Sequence, residues 1–154
     1  MELMEGGSLK DFMIKRYKED SIFLKDEECS LIVKNILLGI KYLHSHKIVH
    51  RDIKPDNIML KYKGNLNFIK VGDFGFSTLE HTSDGKECGT LIFMPPEIQQ
   101  YNELGDIWAV GFILYILSSG GEHPLFGRNM SFNEYLENLK NYSQYWKIKS
   151  DISM

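Results

Sequence analysis

His50-Arg51-Asp52-Ile53-Lys54-Pro55-Asp56-Asn57, with Asp73-Phe74-Gly75 downstream, is the stretch that decides how this chain is read. Asp52 offers a carboxylate able to accept or orient a hydroxyl proton, and Lys54 a fixed cation close by. Asn57 and Asp73 supply an amide oxygen and a carboxylate. These are hard donors that suit magnesium and leave room in its octahedron for water and phosphate oxygens. The set answers the demands of phosphoryl transfer to a hydroxyl, where a protein chiefly positions the reactants and offsets charge on the phosphoryl oxygens. Taken singly, His50 reads as a structural histidine, and Asp52, Lys54 and Asn57 as turn residues. Their order and spacing carry the argument.

Upstream, Leu31, Ile32, Ile36, Leu37, Ile40, Tyr42 and Leu43 recur at helical spacing, which predicts a long, mostly buried helix from about Asp26 to His46 leading into the quoted loop. No glycine follows it, so either His46 or Lys47 takes a left-handed cap or the helix ends in another way. Downstream, Asn57-Ile58-Met59-Leu60 and Asn67-Phe68-Ile69-Lys70-Val71 flank Lys63-Gly64-Asn65 and predict a small β-hairpin. Asp73 to Glu97 has no period and reads as a surface loop. A core helix is expected over about 104–117, with Trp108, Phe112 and Leu114 inside. Tyr135, Leu136, Leu139, Tyr142 and Trp146 predict an amphipathic helix over about 132–148, either folded onto the domain or docking a partner.

The 154 residues, 43% of them hydrophobic, are enough for one domain with a substantial core. Eighteen Lys and Arg against 21 Asp and Glu leave a net charge of -3, which provides no broad basic field for nucleic acid or an anionic membrane. Cys29 and Cys88 lie far apart and match no metal spacing, as expected of reduced thiols. The run Ile107 to Leu117 is too short to span a bilayer, and the N-terminus lacks the pattern of a signal peptide. The expectation is a cytoplasmic or nuclear protein without nucleic-acid or membrane partners.

In order, Met1-Glu2-Leu3-Met4-Glu5-Gly6-Gly7, H-R-D-x-K-x-x-N, D-F-G, Gly89-Thr90, Pro95-Pro96-Glu97 and D-x-W-x-x-G at Asp106 to Gly111 resemble the eukaryotic Ser/Thr protein kinase family. The resemblance implies a mainly α fold, the C-terminal lobe of a kinase with a small β-hairpin at the catalytic loop. It places a hinge at 1–8, the catalytic loop at 48–57 and the activation segment at 73–97. ATP and Mg2+ are the implied cofactors. Asp52 and Lys54 would be catalytic and Asn57 and Asp73 metal ligands, while Glu2, Met4, Ser8 and Met59 would contact the nucleotide. His50 and Phe74 would pack as a spine, with Gly75 completing D-F-G, and Asp106 would brace the catalytic-loop backbone.

Arg51 resembles the arginine of kinases switched by activation-loop phosphorylation, with Thr78, Thr82 and Ser83 as acceptors for an upstream activating kinase. Thr90 and Glu97 belong to the substrate loop, and Asp56 stands where an acidic residue can pair with a substrate arginine. The implied partners are proteins with Ser/Thr acceptors. Nothing in the sequence matches the glycine-rich strand pair, the strand lysine or the helix glutamate of the N-terminal lobe, nor the arginine that pairs with Glu97. A kinase fragment completed by an N-terminal lobe is therefore expected. The alternative, should the chain truly begin at Met1, is a non-catalytic binding or regulatory module.

Overall fold

A computed structural model describes residues 3–19, 22–79, 89–95, 102–127 and 130–141. Ser8 starts α1 (Leu9–Ile14) through a capping box. Its hydroxyl accepts from Asp11 N at 3.1 Å, and the Asp11 carboxylate accepts from Ser8 N at 3.1 Å. The helix widens into a π-helical turn over Lys15–Glu19. The long α2 (Asp26–Ser45) buries Cys29, Ile32, Ile36, Ile40 and Leu43 along one stripe. Lys47 closes the turn after it in the left-handed region, at φ 61°. Next come β1 (Ile48–Val49), a 3-10 turn (Pro55–Asn57), β2 (Ile58–Leu60), β3 (Ile69–Val71) and β4 (Thr78–Leu79). A second 3-10 turn (Leu91–Phe93) precedes α3 (Glu103–Ser118) and α4 (Phe132–Lys140).

The expected hairpin is present, with β2 antiparallel to β3 and Ile58, Met59 and Leu60 opposite Val71, Lys70 and Ile69. The stretch from Asp73 is not wholly a loop. Thr78–Leu79 forms a second two-stranded antiparallel sheet with Ile48–Val49. Val49 is buried, so its backbone groups need partners that water does not supply. A pairing so remote in sequence leaves no local period.

The core forms where α2 packs against α3 and β3. Two burial expectations are corrected. Leu37 and Tyr42 lie off the buried stripe of α2, and Tyr42 is 66% exposed, stacked on His46 at 4.4 Å. Leu114 is 44% exposed, because α3 is covered around Phe112, Ile113, Ile116 and Leu117 but not on the side where Leu114 and Ile107 stand. The amphipathic stripe docks onto the domain as far as it is described: Tyr135 and Leu139 are buried, and the Tyr135 hydroxyl donates to Ile92 O at 3.1 Å. Tyr142 and Trp146 fall outside the described residues.

His123 joins these parts. Its ring packs among Phe93, Phe112, Phe126 and Tyr135, with centroids 4.6 Å apart at the closest, to Phe112. Nε2–H donates to Ile92 O at 2.8 Å, and Nδ1 accepts from Leu125 N at 3.2 Å, which fixes a neutral tautomer. Burial pushes its pKa from 6.5 down to about 4, against the opposing pull of the Ile92 carbonyl.

Candidate active site

The loop between β1 and β2 is held from below and from the side. Asp106, fully buried on the first turn of α3, accepts from His50 N at 2.9 Å through Oδ2 and from Arg51 N at 3.0 Å through Oδ1. Arg51 sits at φ 67°, a left-handed conformation that a non-glycine residue keeps only when its surroundings impose it. The His50 ring then ties the loop to the end of β3. Nε2–H donates to Gly72 O at 2.9 Å and Nδ1 accepts from Asp52 N at 3.3 Å, while the ring faces Phe74 at 5.2 Å.

This framework brings Asp52, Lys54, Asn57 and Thr90 together. Asp52 is 4% exposed. Its Oδ1 accepts from Thr90 N at 2.9 Å and from the Thr90 hydroxyl at 2.8 Å. Its Oδ2 accepts from Asn57 Nδ2 at 2.8 Å and pairs with Lys54 Nζ at 2.7 Å. Lys54 Nζ also donates to the Thr90 hydroxyl at 2.7 Å. The Asn57 amide nitrogen is committed to Asp52, with a further bond to Asp52 O at 2.9 Å, so the orientation assigned to the amide leaves its oxygen for other work. Gly72 N donates to Asn57 O at 2.8 Å at the open end of the hairpin, and Asp73 is the next residue in the chain. Asp73 is exposed at φ 55°, and its Oδ1 accepts from Gly75 N at 3.1 Å.

The amide oxygen of Asn57 and the carboxylate of Asp73 fit a magnesium ion carried by phosphates, which asks for one or two protein oxygens and keeps water besides. Among the described residues no group of three or more His, Cys, Asp or Glu side chains gathers to cage a metal.

The model of the protein kinase domain matches residues 1–154. The chain belongs to the protein kinase family. Relatives of this chain include the death-associated protein kinase dapk-1 of Caenorhabditis elegans, 42% identical over 134 residues, covering 84% of this chain and 9% of that protein. Human death-associated protein kinase 2 is 42% identical over 135 residues, 82% of this chain and 34% of that protein. The probable serine/threonine-protein kinase fhkC of Dictyostelium discoideum is 34% identical over 164 residues, 98% of this chain and 26% of that protein. The chain spans about a third or less of the length of these relatives.

The remaining candidate residues that the structure describes are spread around this centre. Met59 lies in β2, half-buried, with its backbone bridged to Ser8. The Ser8 hydroxyl is engaged with Asp11 at 2.7 Å, and Met4 O accepts from Gly7 N at 3.4 Å. Arg51 Nε donates to Phe76 O at 2.7 Å, and Thr78 is paired within β4 opposite Val49. Glu2, Thr82, Ser83 and Glu97 lie outside the described residues. Asp56 meets Lys10 at 2.6 Å, a pair that raises the lysine pKa. Two residues were missed in the sequence. His44 contacts Asp106 at 2.8 Å, and its signal was its register with Ile32, Ile36 and Ile40 on the buried stripe of α2. Lys10 is too far from Asp56 in sequence to leave a signal.

Among the described residues no helix is long and apolar enough to cross a membrane.

Proposed function

We propose that this chain is the hinge and C-terminal lobe of a Ser/Thr protein kinase, which transfers the γ-phosphoryl group of ATP to protein Ser/Thr hydroxyls together with an N-terminal lobe. The observation that carries the reading is the convergence of Asp52, Lys54, Asn57 and Thr90 in one hydrogen-bonded cluster, with Gly72, the residue before Asp73, bonded to Asn57. The relatives named as Ser/Thr kinases support the acceptor class.

Asp52 is the proton acceptor. Two donors on each oxygen fix its carboxylate, and the bond from the Thr90 hydroxyl to Oδ1 marks the direction from which a substrate hydroxyl competes for it. Lys54, bridging Asp52 and Thr90, holds its charge where the transferred group arrives. Asn57 and Asp73 would hold magnesium, which when bound neutralises charge on the nucleotide phosphates. Met59, Met4, Ser8 and Glu2 would contact the nucleotide, His50 and Phe74 would pack as spine residues, and Arg51 of the catalytic loop would pair with a phosphate on Thr78, Thr82 or Ser83 of the activation segment.

The test is phosphate incorporation from radiolabelled ATP into mixed protein substrates by the full-length protein containing this chain, followed by phosphoamino-acid analysis. Labelled serine or threonine that disappears on chelation of magnesium is expected. Labelled tyrosine alone, or no label with magnesium and ATP present, would refute the reading.

A further inference from the structure

We infer that Tyr135 and His123 are positioning residues for Thr90, and through it for Asp52, because both hold the carbonyl of Ile92. The kinetic consequence rests on the phosphotransfer reading above, whereas the structural one stands on geometry alone. Thr90 gives Asp52 Oδ1 two bonds, from its backbone N at 2.9 Å and its hydroxyl at 2.8 Å, and its hydroxyl accepts from Lys54 at 2.7 Å. It is also the N-cap of the 3-10 turn Leu91–Phe93, in which Phe93 N donates to Thr90 O at 2.9 Å. The place of that turn therefore decides the place of Thr90.

The turn is anchored from the side away from Asp52. Ile92 O, at its middle, accepts from His123 Nε2 at 2.8 Å and from the Tyr135 hydroxyl at 3.1 Å. These donors come from the connection after α3 and from α4. Their rings stand 6.1 Å apart, and Phe126 lies 5.9 Å from Tyr135. Tyr135 is 1% exposed, and burial raises the pKa of its hydroxyl, which remains a donor throughout the neutral range. With one donor removed, Ile92 O keeps the other. With both removed, a carbonyl packed beside a buried ring loses both side-chain donors and gains by turning toward water. The turn then rotates, and Thr90 draws its bonds away from Asp52. Asp106 holds the loop separately, at the amides of His50 and Arg51, so those residues need not move. The nucleotide contacts expected at the hinge and hairpin lie off this path, so the effect falls on kcat.

The experiment compares Tyr135→Phe, which removes only the hydroxyl, His123→Met, which fills much of the space without a donor, and the double variant. Hydrogen exchange at the Thr90 amide is followed in the folded full-length protein, with the His50 and Arg51 amides and the core amides of α3 as references. Tyr135→Phe should speed Thr90 exchange about fivefold and the double variant about tenfold or more, with the references unchanged. In phosphotransfer assays the double variant should lose about tenfold in kcat at unchanged KM for ATP, as befits a misplaced reacting group. Wild-type protection of Thr90 in the double variant, or exchange rising by one factor at Thr90 and in α3 alike, would overturn the inference. So would wild-type kcat with the Thr90 amide freed. If the double variant does not fold, Tyr135→Phe decides alone: faster exchange confined to Thr90 supports the linkage and unchanged exchange refutes it. The exchange arm needs no turnover, so an inert wild-type protein would count against the functional reading and leave this one to be decided by exchange.

Discussion

Gly89 shows how tightly the residues around Asp52 are fitted. It sits at φ 102°, and a Cβ there would stand 2.2 Å from Arg51 O, so both backbone conformation and space demand glycine. Its neighbour Thr90 supplies the two bonds to Asp52 Oδ1. Gly89→Ala should therefore destabilise the fold by about 1–3 kcal/mol, read from the denaturant midpoint, and lower phosphotransfer by displacing Thr90. An unchanged midpoint would show that the loop relaxes at no cost.

At the residue scale, the proximity of Asp52, Lys54 and Asn57 was legible because their spacing is local. Of the endings left open for α2, the structure takes the left-handed one at Lys47. The His44 bond to Asp106 was not legible, because it closes between two elements whose packing no local pattern states.

At the scale of elements, α2 and α3 were readable in extent, since their apolar spacing is strong. Which apolar residues face water was not. Tyr42, Leu37 and Leu114 satisfy the period yet lie off the contact between α2 and α3, and only the packing partner decides that. Strand β4 was hidden for the same reason, since two residues have no period of their own and its partner is β1.

The His123 cluster, joining the turn before α3, α3 itself and α4, makes a further prediction. Unfolded, this histidine takes up a proton near pH 6.5; folded, it refuses one until about pH 4. Its contribution to stability is therefore complete above pH 6.5 and is lost as pH falls toward 4, by up to about 3 kcal/mol. Thermal unfolding across that window should show Tm falling with acidity, and His123→Gln should flatten the slope while lowering stability at neutral pH. A slope unchanged by the substitution would assign the pH dependence to the carboxylates.

For the whole molecule, family membership follows from a match along all of residues 1–154. The architecture fits it: a helical core supports one loop and one hairpin, and these bring together the side chains of Asp52, Lys54 and Asn57. A net charge of -3 leaves recognition to local groups rather than to a broad field. Of these, Asp56 is already engaged by Lys10, so Lys10→Ala should raise the preference for substrates with an arginine near the acceptor, checked on a peptide array. An array pattern indifferent to Lys10 would remove Asp56 from substrate recognition.

Whether the cluster around Asp52 performs phosphoryl transfer is tested by Asp52→Asn in the full-length protein. Loss of the carboxylate should reduce phosphate incorporation into Ser/Thr substrates by about 10²–10⁴-fold, while circular dichroism shows the helical fold retained. Incorporation equal to wild type would contradict that role.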